Sequence, residues 1–322
     1  MLIRSLQRMG ADFLTLDEES VADQVQLRWQ VTDRGVAGQL RVGGVVVDLR
    51  EIHSVYHRFV DVEMLPEPGR SAEVVSQTRS ILHSLMNLFD VLPARMVNRR
   101  RPMMSNNSKP YQALLIRQAG FAVPDTLITN NPQSLMEFAS SGGPLIFKSV
   151  SSVRSIVTTL DPEAAARIES LRYLPTQFQR RIEGFNVRVH VIGRRLFATQ
   201  VLTPATDYRY AGQQGAWAEF RPFELTAELR KRCLHLARLC GLAFSGIDLM
   251  VSRDQVYCLE VNPSPAYSYY QDATGQPISD ALAEYLANTG RPVVPAESAH
   301  PRRTMPDNLT TKQEVNHVGG DS

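Results

Sequence analysis

The sequence predicts an α+β fold. Three features indicate it: β-rich segments joined by hairpin turns, capped amphipathic helices between them, and two alternating strands near the end, within residues 244–264. With 322 residues, of which 43% are hydrophobic, the chain can bury a large core and divide into two or three domains or lobes.

The first block, residues 1–97, is predicted to be a small N-terminal α/β domain. We expect a helix, a strand, a β-rich stretch with Gly43-Gly44 as a hairpin turn, and then a long amphipathic helix. These elements cover residues 2–9, 12–16, 25–29, 39–49, 54–59 and 71–89.

The second block, residues 98–182, is predicted to be a central lobe. The run Asn-Arg-Arg-Arg-Pro at 98–102 interrupts the pattern and favours a boundary near residue 98. Ser108 caps a helix through residue 119 that carries Pro110 in its first turn, and Gly120 ends it. The arginines at 99–101 are either a polyanion contact or a solvated run of linker charge. A strand at 145–150 and a helix at 162–171 follow.

The third block, residues 183–290, is predicted to be a C-terminal lobe. It contains a hairpin, a helix and a second hairpin, at residues 187–202, 227–240 and 244–264. Residues 291–322 contain four prolines and no aromatic residue, so we expect a disordered tail that cannot offset its ordering entropy.

Composition narrows the function classes. A net charge of +2, from 35 basic and 33 acidic residues, does not indicate a nucleic-acid partner. The three cysteines lack a C-x-x-C spacing and are expected to be reduced core residues. No apolar run reaches the length of a membrane span and the first residues lack a secretory signal, so we expect a cytoplasmic protein without a membrane partner.

Two carboxylates and an amide form a candidate metal site. Asp248 lies on one strand of the last hairpin, and Glu260 and Asn262 lie on the next. Period-two geometry places Glu260 and Asn262 on one face and brings Asp248 near them. Oxygen donors of this kind suit Mg²⁺ held together with substrate phosphates. The alternative is an acid pair on a solvated hairpin face.

Two lysines are candidate phosphate ligands. Lys148 ends an apolar strand, where it loses hydration unless it meets an anion, and the alternative is a snorkelling edge lysine. A loop of small residues follows Lys148. Its backbone N–H groups and the hydroxyls of Ser149, Ser151 and Ser152 can fold over phosphates. Lys109 begins a helix, where the dipole attracts anions, and the alternative is a surface lysine.

Two arginines are candidates for stabilising an acyl phosphate or a carboxylate. Arg188 and His190 share one face of a strand, and an arginine fork on such a strand matches carboxylate or phosphate oxygens. Arg209 lies in a later loop and is equally well explained as a solvent arginine. His190 is interpreted as a packed or solvent-facing histidine in preference to a catalytic base, because no nucleophile is evident near it.

Taken in order, these residues resemble the ATP-grasp superfamily. The resemblance is carried by Lys109 before a helix, Lys148 on a strand, and the segments at 179–182, 186–193, 207–209, 246–248 and 259–263. It extends to about residue 290. Within the superfamily the chain is similar to the graspetide (microviridin-type) peptide maturases, near the ribosomal-protein glutamate ligases. The segments at 97–100, 124–132 and 147–152 carry this closer similarity.

The resemblance implies an ATP-grasp fold with a pre-ATP-grasp domain and two lobes enclosing ATP. It implies that Lys109 and Lys148 hold phosphates and that Asp248, Glu260 and Asn262 carry two Mg²⁺ ions. The hinge residues Gln179, Arg180 and Ile182 would bind adenine through their backbone, with Glu183 on the ribose. Arg188 and Arg209 would stabilise the charge that develops at the transferred phosphate. Relatives begin with a strand, so a trimmed or misassigned N-terminus with a missing edge strand is expected.

The leading hypothesis is an ATP-dependent carboxylate ligase. It would activate an acidic side chain of a precursor peptide as an acyl phosphate, close an ester or amide bond, and release ADP and phosphate. One alternative is a ligase that joins an amino acid to a protein or small carboxylate. Another is a non-catalytic ATP-binding module. A homodimer is one alternative for the oligomeric state.

Overall fold

The structure is a computed structural model, and it describes residues 1–17, 20–58, 71–149, 158–160, 168–203 and 217–288. The described helices are α1 (Leu2–Arg8), α2 (Val21–Gln24), α3 (Ala72–Val91), α4 (Arg100–Met103), α5 (Lys109–Gln118), α6 (Pro132–Ser140), α7 (Ala227–Leu239), α8 (Ser268–Thr274) and α9 (Ile278–Ala287). None of them is long and apolar enough to cross a membrane.

The strands of the described residues form three antiparallel sheets and one parallel pair. The strands are β1 (Val25–Thr32), β2 (Gly35–Val42), β3 (Val45–Asp48), β4 (Ser54–Tyr56), β5 (Arg95–Val97), β6 (Thr126–Thr129), β7 (Leu145–Ser149), β8 (Thr158–Thr159), β9 (Thr176–Arg180), β10 (Phe185–Ile192), β11 (Arg195–Leu202), β12 (Glu219–Pro222), β13 (Phe244–Val251) and β14 (Val256–Asn262). The antiparallel orders are β1-β2-β3, β6-β9-β7-β8 and β12-β11-β10-β13-β14, and β4 pairs in parallel with β5.

The sheet β1-β2-β3 packs against the long helix α3. Leu82, Leu85 and Leu88 recur at helical spacing on one face of α3 and are fully buried. The Ser71 hydroxyl accepts a hydrogen bond from the Val74 N–H and caps the helix. The predicted strand over residues 12–16 is wrong, because this segment is irregular and has no strand partner among the described residues.

Arg99 fits neither interpretation of the arginine run. Its guanidinium donates hydrogen bonds to the carbonyls of Phe89, Asp90, Leu92 and Ala94, at distances of 2.9–3.1 Å. These carbonyls lie at or just after the end of α3, where helical partners run out, so Arg99 satisfies the end of that helix.

The four-stranded sheet β6-β9-β7-β8 packs against α6 and the 3₁₀ turn Ile168–Tyr173. Its core contains Leu135, Leu145, Leu171 and Phe178. The last part of the helix predicted at 162–171 is the start of this 3₁₀ turn, and its first part, residues 162–167, lies outside the described residues. So do residues 289–322, which include the predicted tail. The predicted boundaries at residues 98 and 183 stay predictions.

The five-stranded sheet β12-β11-β10-β13-β14 has two different faces. Its back face presents Val187, Val189, Ile247 and Leu249 to helices α5 and α7, whose buried residues include Ile116 and Leu236. On its front face, one end is covered by α8 and α9, where Ile192 and Phe244 pack with Tyr270 and Leu282. Arg188, His190 and Asp248 lie on this front face and not on the back one.

Candidate active site

Three charged side chains line up across the front face of the five-stranded sheet. Arg188 on β10 is the register partner of Asp248 on β13, and Asp248 is the register partner of Glu260 on β14. Direct partners in an antiparallel sheet have Cβ atoms about 4.5–5.5 Å apart. The β13–β14 register shifts between Asp248 and Leu249, which is an irregularity that often re-aims side chains beside active sites.

Arg188 and Asp248 form a largely buried ion pair. The Arg188 Nη1 and Asp248 Oδ2 atoms are 2.6 Å apart, and the two side chains are 6% and 18% exposed. An ionised donor and acceptor at this distance make a strong, directional contact. The pair therefore holds the arginine fork beside the carboxylate that is the first candidate metal ligand.

Gly246 makes room for the Arg188 guanidinium. A Cβ atom at this glycine would lie 2.3 Å from Nη2, 2.5 Å from Cζ and 2.7 Å from Nε of Arg188. The guanidinium therefore lies directly against the Gly246 backbone. Gly246 is a site residue that sequence reasoning missed, although a glycine inside a strand is a signal of such a close approach.

Asn262 lies in the next register row, opposite Gly246 on β13. Its Oδ1 accepts a hydrogen bond of 2.8 Å from the Ser264 N–H, which fixes the amide orientation, and an amide oxygen has a second lone pair. Among the described residues no group of three or more His, Cys, Asp or Glu side chains forms a metal site. An ion held by Asp248 and Glu260 would therefore depend on the Asn262 amide and on substrate phosphates, as is usual for Mg²⁺.

A cleft of about 250 Å³ brings four of the predicted site residues together. Lys109, Lys148, Gln179 and Glu260 all line it. Its other lining residues are mostly apolar and include Ile116, Val123, Pro124 and Ile128. An apolar cleft with a few convergent polar groups suits a nucleotide whose base is enclosed and whose phosphates meet cations.

Gln112 connects helix α5, which carries Lys109, to strand β14, which carries Glu260 and Asn262. It is 3% exposed, its Nε2 donates to the Val261 carbonyl at 2.8 Å, and its Oε1 accepts from the Val261 N–H at 2.9 Å. This bidentate contact sets the first turn of α5, which carries Lys109, beside Glu260 on β14. Sequence reasoning missed Gln112. The available signal was its place on the apolar stripe of α5, three and four residues before Leu115 and Ile116.

The predicted hinge begins at the end of β9, whose last two residues are Gln179 and Arg180. The Gln179 Nε2 donates to the Thr126 hydroxyl at 3.0 Å, and the Arg180 N–H donates to the Asp125 carbonyl at 2.9 Å. The Arg180 guanidinium donates to the Gly143 carbonyl at 2.9 Å, so neither of these Arg180 groups is directed at a nucleotide. Ile182 is partly buried and Glu183 is exposed, in the segment between β9 and β10.

Four predicted site residues lie at the edge of the described residues or outside them. Ser149 ends β7, and Ser151, Ser152 and Arg209 lie outside the described residues. The roles predicted for them stay predictions.

His190 is a packed histidine, which is one of the two non-catalytic interpretations predicted for it. It is fully buried, and its Nε2 lies 3.0 Å from the Ala266 carbonyl. Burial, with a smaller contribution from the Arg188 charge, lowers the pKa of His190 to about 3, against the opposing effect of the Ala266 hydrogen bond. The imidazole is therefore neutral near pH 7 and is a weak base.

Comparisons with known proteins identify the family of the chain. The model of the RimK-like ATP-grasp domain family matches residues 105–286, which is more than half of the chain. The chain therefore belongs to the RimK-like ATP-grasp family, and it is an ADP-forming ATP-grasp ligase, a class of enzyme that uses ATP and Mg²⁺. The predicted family, enzyme class and α+β ATP-grasp fold are confirmed.

Two curated relatives are named "Probable alpha-L-glutamate ligase". The protein from Vibrio atlanticus is 21% identical over 220 residues, which is 65% of this chain and 72% of the relative. The protein from Teredinibacter turnerae is 24% identical over the same length and the same shares.

Two solved structures share the fold of most of the chain. The macrocyclase MdnC from Microcystis aeruginosa, bound with precursor peptide MdnA, has a TM-score of 0.73 and 21% identity, covering 89% of this chain and 94% of its own. The second structure is the RiPP-associated ATP-grasp ligase from Chryseobacterium gregarium in complex with ADP and a leader and core peptide. It has a TM-score of 0.75 and 20% identity, covering 90% of this chain and 92% of its own. At this identity the likeness shows the fold alone.

Proposed function

We propose that this ligase activates an acidic side chain of a precursor peptide and closes an ester or amide bond within that peptide. The observation that carries the proposal is the row Arg188, Asp248 and Glu260, of which Glu260 lines a cleft that also contains Lys109 and Lys148. A peptide substrate is supported by two structural neighbours, MdnC bound with a precursor peptide and the Chryseobacterium ligase in complex with a leader and core peptide.

The reaction would proceed in two displacements. A substrate carboxylate oxygen attacks the γ-phosphorus of ATP, the bond to the β-phosphate oxygen breaks, and ADP leaves. A hydroxyl or amine of the peptide then attacks the acyl carbon, phosphate leaves with the carboxylate oxygen, and the nucleophile's proton passes to phosphate or solvent. Such chemistry depends on positioning and charge stabilisation more than on a protein nucleophile.

The chain's own residues would supply that positioning. Lys109 and Lys148 would contact ATP phosphates, and the Ile182 backbone with Gln179 would contact adenine. Glu183 would reach the ribose. Ser149, Ser151 and Ser152 would lie over the phosphates, and Arg180 would contribute only through its carbonyl, because its N–H already bonds Asp125.

Asp248, Glu260 and Asn262 fit hard divalent cations, and we propose that they hold two Mg²⁺ ions. When bound, these ions neutralise phosphate charge. Arg188 would donate its fork to oxygens whose charge grows as phosphate transfers, and Arg209 would assist it. The ion pair with Asp248 keeps Arg188 beside the metal ligands before substrate arrives.

A second candidate is the addition of an amino acid to a protein or small carboxylate. The names of the curated relatives favour it, since they are glutamate ligases. The two candidates differ in product mass: a cyclised peptide loses one water for each bond, whereas a glutamylated acceptor gains a residue. A cytoplasmic setting and a homodimer are further parts of the proposal, and size-exclusion chromatography with light scattering tests the dimer.

The test of the proposal is intact-mass spectrometry with coupled ADP measurement. The purified protein is incubated with Mg²⁺-ATP and a short peptide rich in Thr, Ser, Lys, Asp and Glu, which the proposal expects a neighbouring gene to encode. We expect loss of water from the peptide with matching ADP release. Glu260→Gln should abolish both, because one ligand of the ions is lost.

The matched control is Asp254→Asn, an exposed residue in the turn of the same hairpin. It should retain parental turnover. If Glu260→Gln ligated at the parental rate, the metal assignment would be wrong, and a mass gain on an acceptor would replace the first candidate by the second.

A further inference from the structure

His190 is a buried polar residue that the proposed function does not use. It lies two residues after Arg188 on the same face of β10 and is fully buried. Its register partner on β13 is Gly246, the residue against which the Arg188 guanidinium lies. Beyond Gly246 in the same row is Asn262. His190 therefore shares a row of the sheet with the guanidinium and with a predicted metal ligand.

His190 also contacts the segment that follows Asn262. A carbonyl oxygen can only accept, so the 3.0 Å contact with Ala266 requires that His190 Nε2 carries the proton. Ala266 lies four residues after Asn262, in the connection between β14 and α8. The imidazole also meets the Tyr270 ring edge-on, with centroids 4.9 Å apart, and the Tyr270 ring centroid lies 5.9 Å from Arg188 Cζ.

Packing alone does not explain an imidazole here. Its Nδ1 is buried and has no hydrogen-bond partner among the described residues, and a buried polar atom without a partner is unfavourable. An apolar side chain would fill the same space without that cost. The compensating feature of the histidine is the single bond from Nε2 to Ala266.

We propose that His190 is a positioning residue for the metal ligand Asn262 and for Arg188. The hydrogen bond from His190 to Ala266 and the contact with Tyr270 hold the segment after Asn262 close to Arg188. The Arg188 guanidinium and the Asn262 amide then face the same phosphate oxygens. This inference rests on the proposed function of Arg188 and Asn262 and adds a residue that touches neither ATP nor peptide.

The test compares two amides that differ in reach. Glutamine has as many bonds from Cα to its side-chain nitrogen as histidine has to Nε2, so His190→Gln can still donate to Ala266. Asparagine is one bond shorter and places its nitrogen near Nδ1, so His190→Asn cannot. His190→Phe keeps a ring beside Tyr270 and removes the donor.

Two readouts separate positioning from mere folding. Free Mn²⁺ is measured by electron paramagnetic resonance in the presence of ADP, and kcat and KM for ATP are measured with the peptide. We expect His190→Asn and His190→Phe to weaken Mn²⁺ binding and to lower kcat by about 10- to 100-fold, which is typical when the support of a metal ligand is lost, while KM for ATP stays near the parental value. His190→Gln should recover most of both.

The inference is overturned if His190→Gln and His190→Asn bind Mn²⁺ equally, or if His190→Phe keeps parental Mn²⁺ affinity and kcat with only a lower Tm. The parent protein distinguishes this failure from that of the proposed function. If the parent protein binds Mn²⁺-ADP and ligates, and the His190 variants do not differ from one another, only the role of His190 is refuted. A parent that does not bind Mn²⁺-ADP removes both.

Discussion

Gly246→Ala is expected to displace the Arg188 guanidinium by steric contact. The new methyl group would lie 2.3–2.7 Å from three guanidinium atoms, whereas non-bonded carbon and nitrogen atoms prefer separations of about 3.5 Å or more. A shift of about 1 Å is therefore required. The backbone on both sides is paired with β10 and β14, so the side chain has to move and the 2.6 Å bond to Asp248 has to break.

The size of the effect follows from these two losses. Overpacking a strand interior destabilises by about 1–3 kcal/mol, and breaking a buried ion pair by removal of one partner costs about 3–5 kcal/mol. Because a displaced guanidinium can regain water, we expect a loss at the lower end, about 2–3 kcal/mol in the free energy of unfolding. The loss of a positioned donor predicts a fall in kcat of about 10²- to 10³-fold.

The assay is a double-mutant cycle with Arg188→Ala, using urea unfolding and steady-state ligation. If the clash is the cause, Gly246→Ala should have little effect on stability or kcat once Arg188 is already alanine. Gly44→Ala is the matched control, because a Cβ at this turn glycine meets no atom within 4 Å. An equal loss of stability in both backgrounds, or parental kcat in the single variant, would refute the reasoning.

Three further predictions concern single side chains. Lys148→Ala should weaken ATP binding in calorimetry and leave the Tm near the parental value, and unchanged affinity would exclude a phosphate contact. Arg188→Lys should restore only part of the kcat lost in Arg188→Ala, because a point charge cannot reproduce a bidentate fork, and a rise in KM with normal kcat would instead indicate plain ATP binding. Since the pKa of His190 is lowered from 6.5 to about 3, the unfolded chain binds a proton between these values and the folded chain does not. The free energy of unfolding should therefore fall by about 1.4 kcal/mol for each pH unit below 6.5, relative to His190→Gln, and equal slopes would contradict the burial.

Local chemistry made much of the fold predictable. Helix α5 begins after the Ser108 cap, with Pro110 in its first turn, and Gly120 follows its end with a φ of +87°. Period-two alternation likewise predicted β13 and β14 and the row that contains Asp248 and Glu260. Alternation failed at residues 12–16, because a strand needs a partner and the pattern does not supply one.

The missed site residues depend on pairing between distant segments. Gly246 matters because β10 pairs with β13, which brings Arg188 onto a residue 58 positions later in the chain. Gln112 matters because α5 lies against the edge of β14, at a sequence separation of 149. The local signals, a glycine inside a strand and a polar residue on an apolar helix stripe, do not show which distant segment is the partner. The role of Arg99 also depends on tertiary contacts. The arginine run at 99–101 resembles a linker in the sequence, whereas in the structure Arg99 donates to four carbonyls.

The central claim is that a peptide carboxylate attacks ATP at the row of Arg188, Asp248 and Glu260. The most direct test uses a precursor peptide whose acidic side chains carry isotopically labelled oxygen, followed by mass analysis of the released phosphate. Attack through an acyl phosphate predicts that each bond formed transfers one labelled oxygen to phosphate, and that Glu260→Gln releases none. Ligation that proceeds with unlabelled phosphate would contradict the account.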